Sequence, residues 1–249
     1  MRIFVTGSAD GLGLLAAKRL IADGHRVVLH ARNTRRAEEA LARAPGAETA
    51  LAADLAQADQ VIDLAQRVNT LTTATNPFDA IIHNAGVYQA PGPLIFAVNS
   101  LAPYLLTALI RKPPRLIYLS SGLHTGGKAK LDDLARDTIS NITYSDTKFH
   151  MVMLAKTVAR VLPTVRANAV DPGWVPTKMG GKNAPDDLDE GAATQVWLAV
   201  SNDPDAQVTG RYFHHRRQAR SAPAADDTAL QDAWIARMEA FSDVPFSRD

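Results

Sequence analysis

The stretch Arg2-Ile-Phe-Val-Thr-Gly-Ser-Ala-Asp-Gly-Leu-Gly13, running on into Leu14-Leu-Ala-Ala-Lys-Arg-Leu-Ile-Ala22, decides how the chain is read. A short apolar run enters a turn that carries Gly7, Gly11 and Gly13, and a helical pattern follows from Leu12. Glycines in such a turn permit a tight reversal, close approach of the backbone to a pyrophosphate, and close helix–strand packing. The free amides and dipole at the helix N-terminus favour an anion there. Candidate cofactor contacts in the turn are therefore Gly7, Ser8, Asp10, Gly11, Leu12 and Gly13. The spacing is Gly-x-x-x-Gly-x-Gly rather than the general dinucleotide fingerprint Gly-x-Gly-x-x-Gly, so a purely structural glycine turn is the competing reading.

Outward from this turn, short apolar runs alternate with helical patterns to the end of the chain. The pattern predicts strands at 2–6, 26–30, 48–53, 80–83, 115–120, 166–170 and 211–214. It predicts helices at 12–22, 34–44, 58–71, 94–110, 144–162 and 190–200, with a further helical pattern at 228–238. Such alternation is the signature of a doubly wound parallel β-sheet, a Rossmann fold with helices on both faces. No repeat or long linker interrupts it, so residues 1–249 read as a single NAD(P)-binding domain. The glycine-, proline- and charge-rich segment 176–189 reads as a mobile substrate loop. The segment 216–249 reads as a C-terminal extension, packed on the surface or dangling.

Bulk properties narrow the function. The chain is 46% apolar with a net charge of +1, which argues against a nucleic-acid partner recruited by electrostatics. It has no cysteine, which excludes disulfides, thiolate catalysis and cysteine-ligated zinc. Its seven histidines lack ligand spacing, and no catalytic metal is expected. The strand pattern begins at Ile3 without a leader, and no uninterrupted apolar run reaches the ~18 residues of a membrane span. The expectation is a cytoplasmic protein.

The end of the second predicted strand addresses cofactor choice. An NAD site would carry Asp or Glu there for the ribose 2′-hydroxyl. This chain has His30-Ala-Arg-Asn33, with Arg35 and Arg36 behind it. An arginine fork suits a 2′-phosphate, so Arg32 and Asn33, with a hydroxyl from Ser8, point to NADP(H) in preference to NAD(H). Arg32 as a solvated loop charge is the alternative.

Tyr144 and Lys148 lie four apart in Tyr144-Ser-Asp-Thr-Lys148, hence on one face of a helix. An ammonium beside the phenol is expected to lower the tyrosine pKa and make it a usable acid–base group.

With these residues the chain resembles the short-chain dehydrogenase/reductase family over nearly all its length. The resemblance rests on Thr6 to Gly13, Asp54-Leu55, Asn84-Ala85-Gly86, Asn99, Ser120-Ser121, Tyr144 with Lys148, and Asp171-Pro172-Gly173-Trp174-Val175-Pro176-Thr177. It implies that Tyr144 is the general acid in carbonyl reduction and the base in alcohol oxidation. Lys148 would lower its pKa and hold the nicotinamide ribose, and Ser121 would polarise the carbonyl, with Ser120 the alternative. Asn99 would hold a proton-relay water, or simply cap its helix. Asp54 and Leu55 would meet the adenine, with a helix N-cap as the alternative for Asp54. Asn84 and Ala85 would tie strand ends while Gly86 admits the cofactor. Pro172 and Gly173 would shape a turn from which Val175 and Thr177 reach the carboxamide.

Two departures stand out. Asn84 and Asn99 are only fifteen positions apart, so the connection at 88–93 is trimmed. That region leads into a helix that commonly serves as an oligomer interface in the family, which puts the usual tetramer in doubt; a dimer or tetramer remains open. Conversely 122–141 is an insert, and Ser121-Gly-Leu-His124, Leu131-Asp-Asp-Leu134 and Gly210-Arg-Tyr-Phe213 weakly resemble the retinol-dehydrogenase-like and WW-domain-oxidoreductase-like branch. Tyr88, Leu123, Trp174 and Met179 are candidates for an apolar pocket under the loop 176–189, and equally for ordinary packing. The implied activity is interconversion of a small-molecule carbonyl and alcohol. A catalytically silent NADP-binding sensor or scaffold on the same fold is the alternative.

Overall fold

In the computed structural model, which describes residues 1–73, 75–135 and 137–246, seven parallel strands follow the predicted alternation. They are β1 (Arg2–Val5), β2 (Arg26–Ala31), β3 (Thr49–Ala52), β4 (Ala80–His83), β5 (Arg115–Leu119), β6 (Arg166–Asp171) and β7 (Tyr212–His214). An eighth, β8 (Arg217–Ala219), pairs antiparallel with β7. The sheet order is β3-β2-β1-β4-β5-β6-β7-β8. The order reverses between β1 and β4, which opens a crevice at their carboxyl ends, where ligands of such sheets bind.

The helices are α1 (Gly11–Ala22), α2 (Thr34–Arg43), α3 (Ala58–Leu71), α4 (Gly92–Phe96), α5 (Ala102–Leu109), α6 (Tyr144–Val161), α7 (Leu188–Val200) and α8 (Thr228–Ser242). Because strand side chains alternate, β1 feeds two cores. Ile3 and Val5 pack with Leu14, Leu20, Val27 and Leu29, while Phe4 packs with Val28, Leu64, Val68 and Tyr104. Residues Ala97–Leu101 form a π-helical segment joining α4 to α5, so the predicted helix 94–110 is continuous but locally widened around Asn99. Segment Gly92–Leu109 is long and apolar enough to cross a membrane, yet 72% of it is buried inside the fold.

The C-terminal segment is not a surface appendage. Trp234, Ile235 and Met238 of α8 are buried in the same core as Tyr104 and Met153. Phe241 packs on Phe96, and the Tyr104 hydroxyl donates to the Val244 carbonyl at 2.7 Å. The helix expected to face a second copy is thus covered by its own chain along this side. Residues 247–249 of the predicted extension lie outside the described residues. The insert 122–141 folds as three short turns, Gly122–Gly126, Leu131–Asp133 and Ile139–Asn141.

Candidate active site

The glycine turn is built so that side chains are excluded. A Cβ on Gly7, which has φ +62°, would stand 2.8 Å from the Ala85 Cα, and one on Gly13 would stand 2.4 Å from the Gly7 carbonyl oxygen. Asn84 donates to the carbonyls of Thr6 and Gly7 at 3.0 and 3.2 Å, and the Ala85 amide donates to the Thr6 hydroxyl. The ends of β1 and β4 are therefore stapled together. His30, unremarked by sequence, completes the frame. Its Nδ1 accepts from the Gly7 amide and its Nε2 lies 3.0 Å from the Ala53 carbonyl, so Nε2 carries the proton. Burial holds its pKa down to about 4, which keeps the ring neutral.

Beside this frame lies a cavity of about 370 Å³. Gly7, Asp10, Gly11, Leu12, Gly13, Arg32, Asp54, Leu55, Asn84, Ala85, Gly86, Tyr144, Lys148, Pro172 and Thr177 all line it, as does His30. Arg32 is exposed at its edge and has no carboxylate partner among the described residues, whereas Arg35 and Arg36 both pair with Glu39. Asp10 caps α1 through the Gly11 amide and pairs with Lys178 from the loop. That contact is the main reason its pKa falls to about 2. Asp54 is not the cap of α3; it accepts from the Ala56 amide in a tight turn. A side-chain-free cradle at a helix N-terminus fits the pyrophosphate of a dinucleotide, and Arg32 stands free at its edge.

Four expected cofactor contacts are placed differently. The Ser8 hydroxyl is fully buried, donates to the Val5 carbonyl and accepts from the His30 amide, so none of it faces the cavity. The Asn33 carboxamide oxygen caps α2 by accepting from the Arg36 amide. Gly173 and Val175 line a second cavity instead of the first. Gly173 has φ +80°, which turns the chain away after β6.

The second cavity, about 600 Å³, holds Ser121, Tyr88, Leu123, Trp174 and Met179, and it shares Tyr144, Ser120 and Pro172 with the first. Tyr144 thus stands at the junction. It is the first residue of α6, held there by a capping box in which the Thr143 hydroxyl and the Asp146 carboxylate close on each other's backbone amides. Ser121 hydrogen-bonds toward the phenol and pulls its pKa down, while the Tyr88 ring meets the Tyr144 ring edge-on at 4.8 Å. Ser120, the alternative for the carbonyl-polarising role, has its hydroxyl turned to the backbone instead. Its hydroxyl is buried and donates to the Lys148 carbonyl, bracing β5 against α6.

The expected acidification of Tyr144 is not what the geometry produces. Burial, then the Asp171 charge, push the phenol up to about 12. The Lys148 ammonium donates to the Leu119 carbonyl at 3.0 Å and sits 5.3 Å from the phenol ring centre. Burial brings Lys148 itself down to about 8. Spacing placed the two on one face, but the ammonium turns to a strand carbonyl. Asn99 is likewise turned away: its amide holds the backbone of Val87 from both sides, at 2.8 and 2.9 Å, and donates to the Thr147 hydroxyl. It positions the chain that follows β4. Among the described residues, no group of three or more His, Asp or Glu stands ready to hold a metal ion.

Comparison with known proteins agrees with this architecture. A family model described as short chain dehydrogenase matches residues 1–102. The chain is 41% identical over 245 residues to an uncharacterized oxidoreductase of Emericella nidulans, covering 93% of each. It is 29% identical to retinol dehydrogenase 14 of Mus musculus, over 93% of this chain and 83% of that one, in line with the branch suggested by the insert. A solved structure of an uncharacterized protein from Mycobacterium paratuberculosis shares the fold with a TM-score of 0.79 at 23% identity, covering 99% of this chain and 94% of that one.

Proposed function

The chain belongs to the short-chain dehydrogenase family, and from that premise we propose that it is an NADP(H)-dependent oxidoreductase that reduces a carbonyl group to an alcohol with Tyr144 as the proton donor. The observation that carries this reading is the position of Tyr144, whose side chain lines both the glycine-framed cavity and the apolar one beside it. A group that hands a proton to a substrate while a cofactor reacts with the same substrate has to stand at such a junction.

The nicotinamide, when bound, supplies the hydride. The residues supply the rest. A phenol with pKa about 12 holds its proton at neutral pH, so the form present is the acid that reduction requires. Ser121, beside it, donates to the carbonyl oxygen and fixes the oxygen within reach of the phenol. Tyr144 would give its proton to that oxygen as negative charge builds on it. Lys148, whose ammonium stands 5.3 Å from the phenol ring centre, is the cation on hand for the phenolate left behind. Arg32 would hold the 2′-phosphate, Asp54 and Leu55 would face the adenine, and Thr177 and Pro172 would face the carboxamide.

NADPH consumption over a panel of aryl and alkyl ketones tests the reading on wild type and Tyr144→Phe. The expected result is turnover by wild type and a loss of at least about 10²-fold in the variant, with NADPH binding retained. Unchanged turnover in Tyr144→Phe would sink the mechanism. NADPH binding without turnover of any carbonyl by wild type would favour the sensor or scaffold.

A further inference from the structure

We propose that His124 is a positioning residue: it ties the turn that presents Ser121 to the chain leading into α8, and so holds the Ser121 hydroxyl where it donates to the substrate carbonyl. This rests on the proposed reading of Ser121 as the carbonyl donor. His124 lines neither cavity, so any effect it has on the reaction passes through Ser121 and not through contact with substrate or cofactor.

The Ser121 hydroxyl is prepared for donation by the turn in which it lies. Its oxygen accepts from the Leu123 amide at 3.3 Å, capping the short 3-10 turn Gly122–Gly126. With an amide on that oxygen, the hydroxyl proton is left for another acceptor. The arrangement lasts only while the Ser121 backbone is held. The Ser121 carbonyl accepts twice from His124, from its backbone amide at 3.0 Å and from its ring Nδ1 at 2.7 Å. Without the ring bond the turn would depend on 3-10 backbone bonds, whose geometry is poor.

The far side of the ring is anchored in a distant part of the chain. Its Nε2 accepts from the Ala222 amide at 3.1 Å, just ahead of the turn that leads into α8. These two partners fix the tautomer, because Nδ1 faces a carbonyl and must carry hydrogen, while Nε2 faces an amide and must not. His124 is buried, and burial keeps its pKa below the ordinary histidine value, so the ring stays in the neutral form that both contacts need. The Tyr212 ring of β7 packs on the imidazole at 4.5 Å between centres, and the buried Tyr212 hydroxyl lies against the Asp171 carboxylate at the end of β6. A phenyl ring at 124 could pack on Tyr212 equally well. Only a ring with a donor and an acceptor on it joins the Ser121 carbonyl to the Ala222 amide.

The test uses His124→Asn, His124→Gln and His124→Phe with the ketone of the aryl and alkyl panel that wild type reduces fastest. An asparagine amide falls near the place of Nδ1 and can still donate to the Ser121 carbonyl. A glutamine amide falls near the place of Nε2 and can accept from Ala222 alone, while phenylalanine keeps the packing and neither bond. The glutamine and phenylalanine variants are expected to lose about tenfold or more in kcat, and asparagine to restore most of that loss. KM and NADPH binding should stay within about twofold of wild type, since a bond to the carbonyl oxygen strengthens mainly as charge gathers there. In a Ser121→Ala background His124→Gln should cost nothing further, because the group it positions is gone. Equal losses in the asparagine and glutamine variants, or a glutamine loss undiminished in Ser121→Ala, would overturn the proposal while leaving carbonyl reduction intact. If wild type turned over no ketone, the proposed function would fall separately, and crystal structures of wild type and His124→Gln would then decide the inference. A Ser121 hydroxyl displaced by about 1 Å or more supports it; one that keeps its place overturns it.

Discussion

Lowering the pH from 7 to 5 should remove about 5 kcal/mol of folding stability, through histidines buried in neutral form. His30, His83 and His150 are fully enclosed, and burial lowers their pKa to about 4, 3 and 4. An unfolded chain returns each to its ordinary value near ~6.5. Below that value the unfolded state binds protons that the folded state refuses, so stability rises with pH and is lost as pH falls. For each residue the loss is about 0.2 kcal/mol at pH 7 and about 2 kcal/mol at pH 5. The loss continues down to the folded pKa values, where these residues protonate within the fold. Three such groups together approach the whole stability of an ordinary domain, about 5–15 kcal/mol. Asp10, held at about 2, acts in the same direction, losing its contribution as pH falls, but only below its ordinary value of 3.8, outside this window. Urea unfolding followed by tryptophan fluorescence at pH 7, 6 and 5 measures the effect. His83 offers a controlled variant, because both its ring nitrogens lack partners and it simply stacks on Tyr118 at 4.7 Å. His83→Phe should remove about 2 kcal/mol of the pH 7-to-5 difference. A midpoint that does not move between pH 7 and 5 would refute the reasoning.

Three further outcomes are expected. Arg32→Asp should weaken NADPH at least tenfold while leaving NADH within a few fold, measured by fluorescence titration; equal losses would remove Arg32 from the 2′-phosphate. Gly13→Ala drives a methyl into the Gly7 carbonyl and the Asn84 amide, so NADPH binding should disappear with a loss of about 1–3 kcal/mol in stability; a variant that still binds tightly would show that the turn can yield. Trp234→Ala should cost about 3–5 kcal/mol in urea unfolding, because the side chain is fully buried between Tyr104 and His150; a cost below about 1 kcal/mol would place α8 outside the cooperative core.

Most of the sheet was legible because buried parallel strands are short apolar runs, and the runs of β1, β4 and β5 are buried at every residue. β8 was not, for two reasons. All three of its residues are exposed, so no alternation marks them. Its hairpin turn uses His215 and Arg216 at φ 47° and 61°, where glycine or asparagine would have announced it. In the site, spacing found Tyr144 and Lys148 but could not show which way the ammonium turns. That direction, with burial, reversed the expected shift of the phenol. Ser8 and Asn33 were assigned from proximity in sequence, but the backbone claimed both side chains first. His30 went unnoticed because a histidine in an apolar strand reads as core. Its role exists only once the Gly7 and Ala53 backbones converge on its two nitrogens.

The docking of α8 also bears on how the protein is made. The surface that Trp234, Met238 and Phe246 cover lies on helices that precede them by many turns of chain, α4 to α6. During synthesis those helices emerge while the piece that seals them is still to come. The apolar cleft around Tyr104 and Phe96 therefore faces solvent until α8 has emerged and docked. A chain stopped before Thr228 would leave it exposed for good, and such a fragment is a candidate for chaperone capture or aggregation even with every residue of the active site in place.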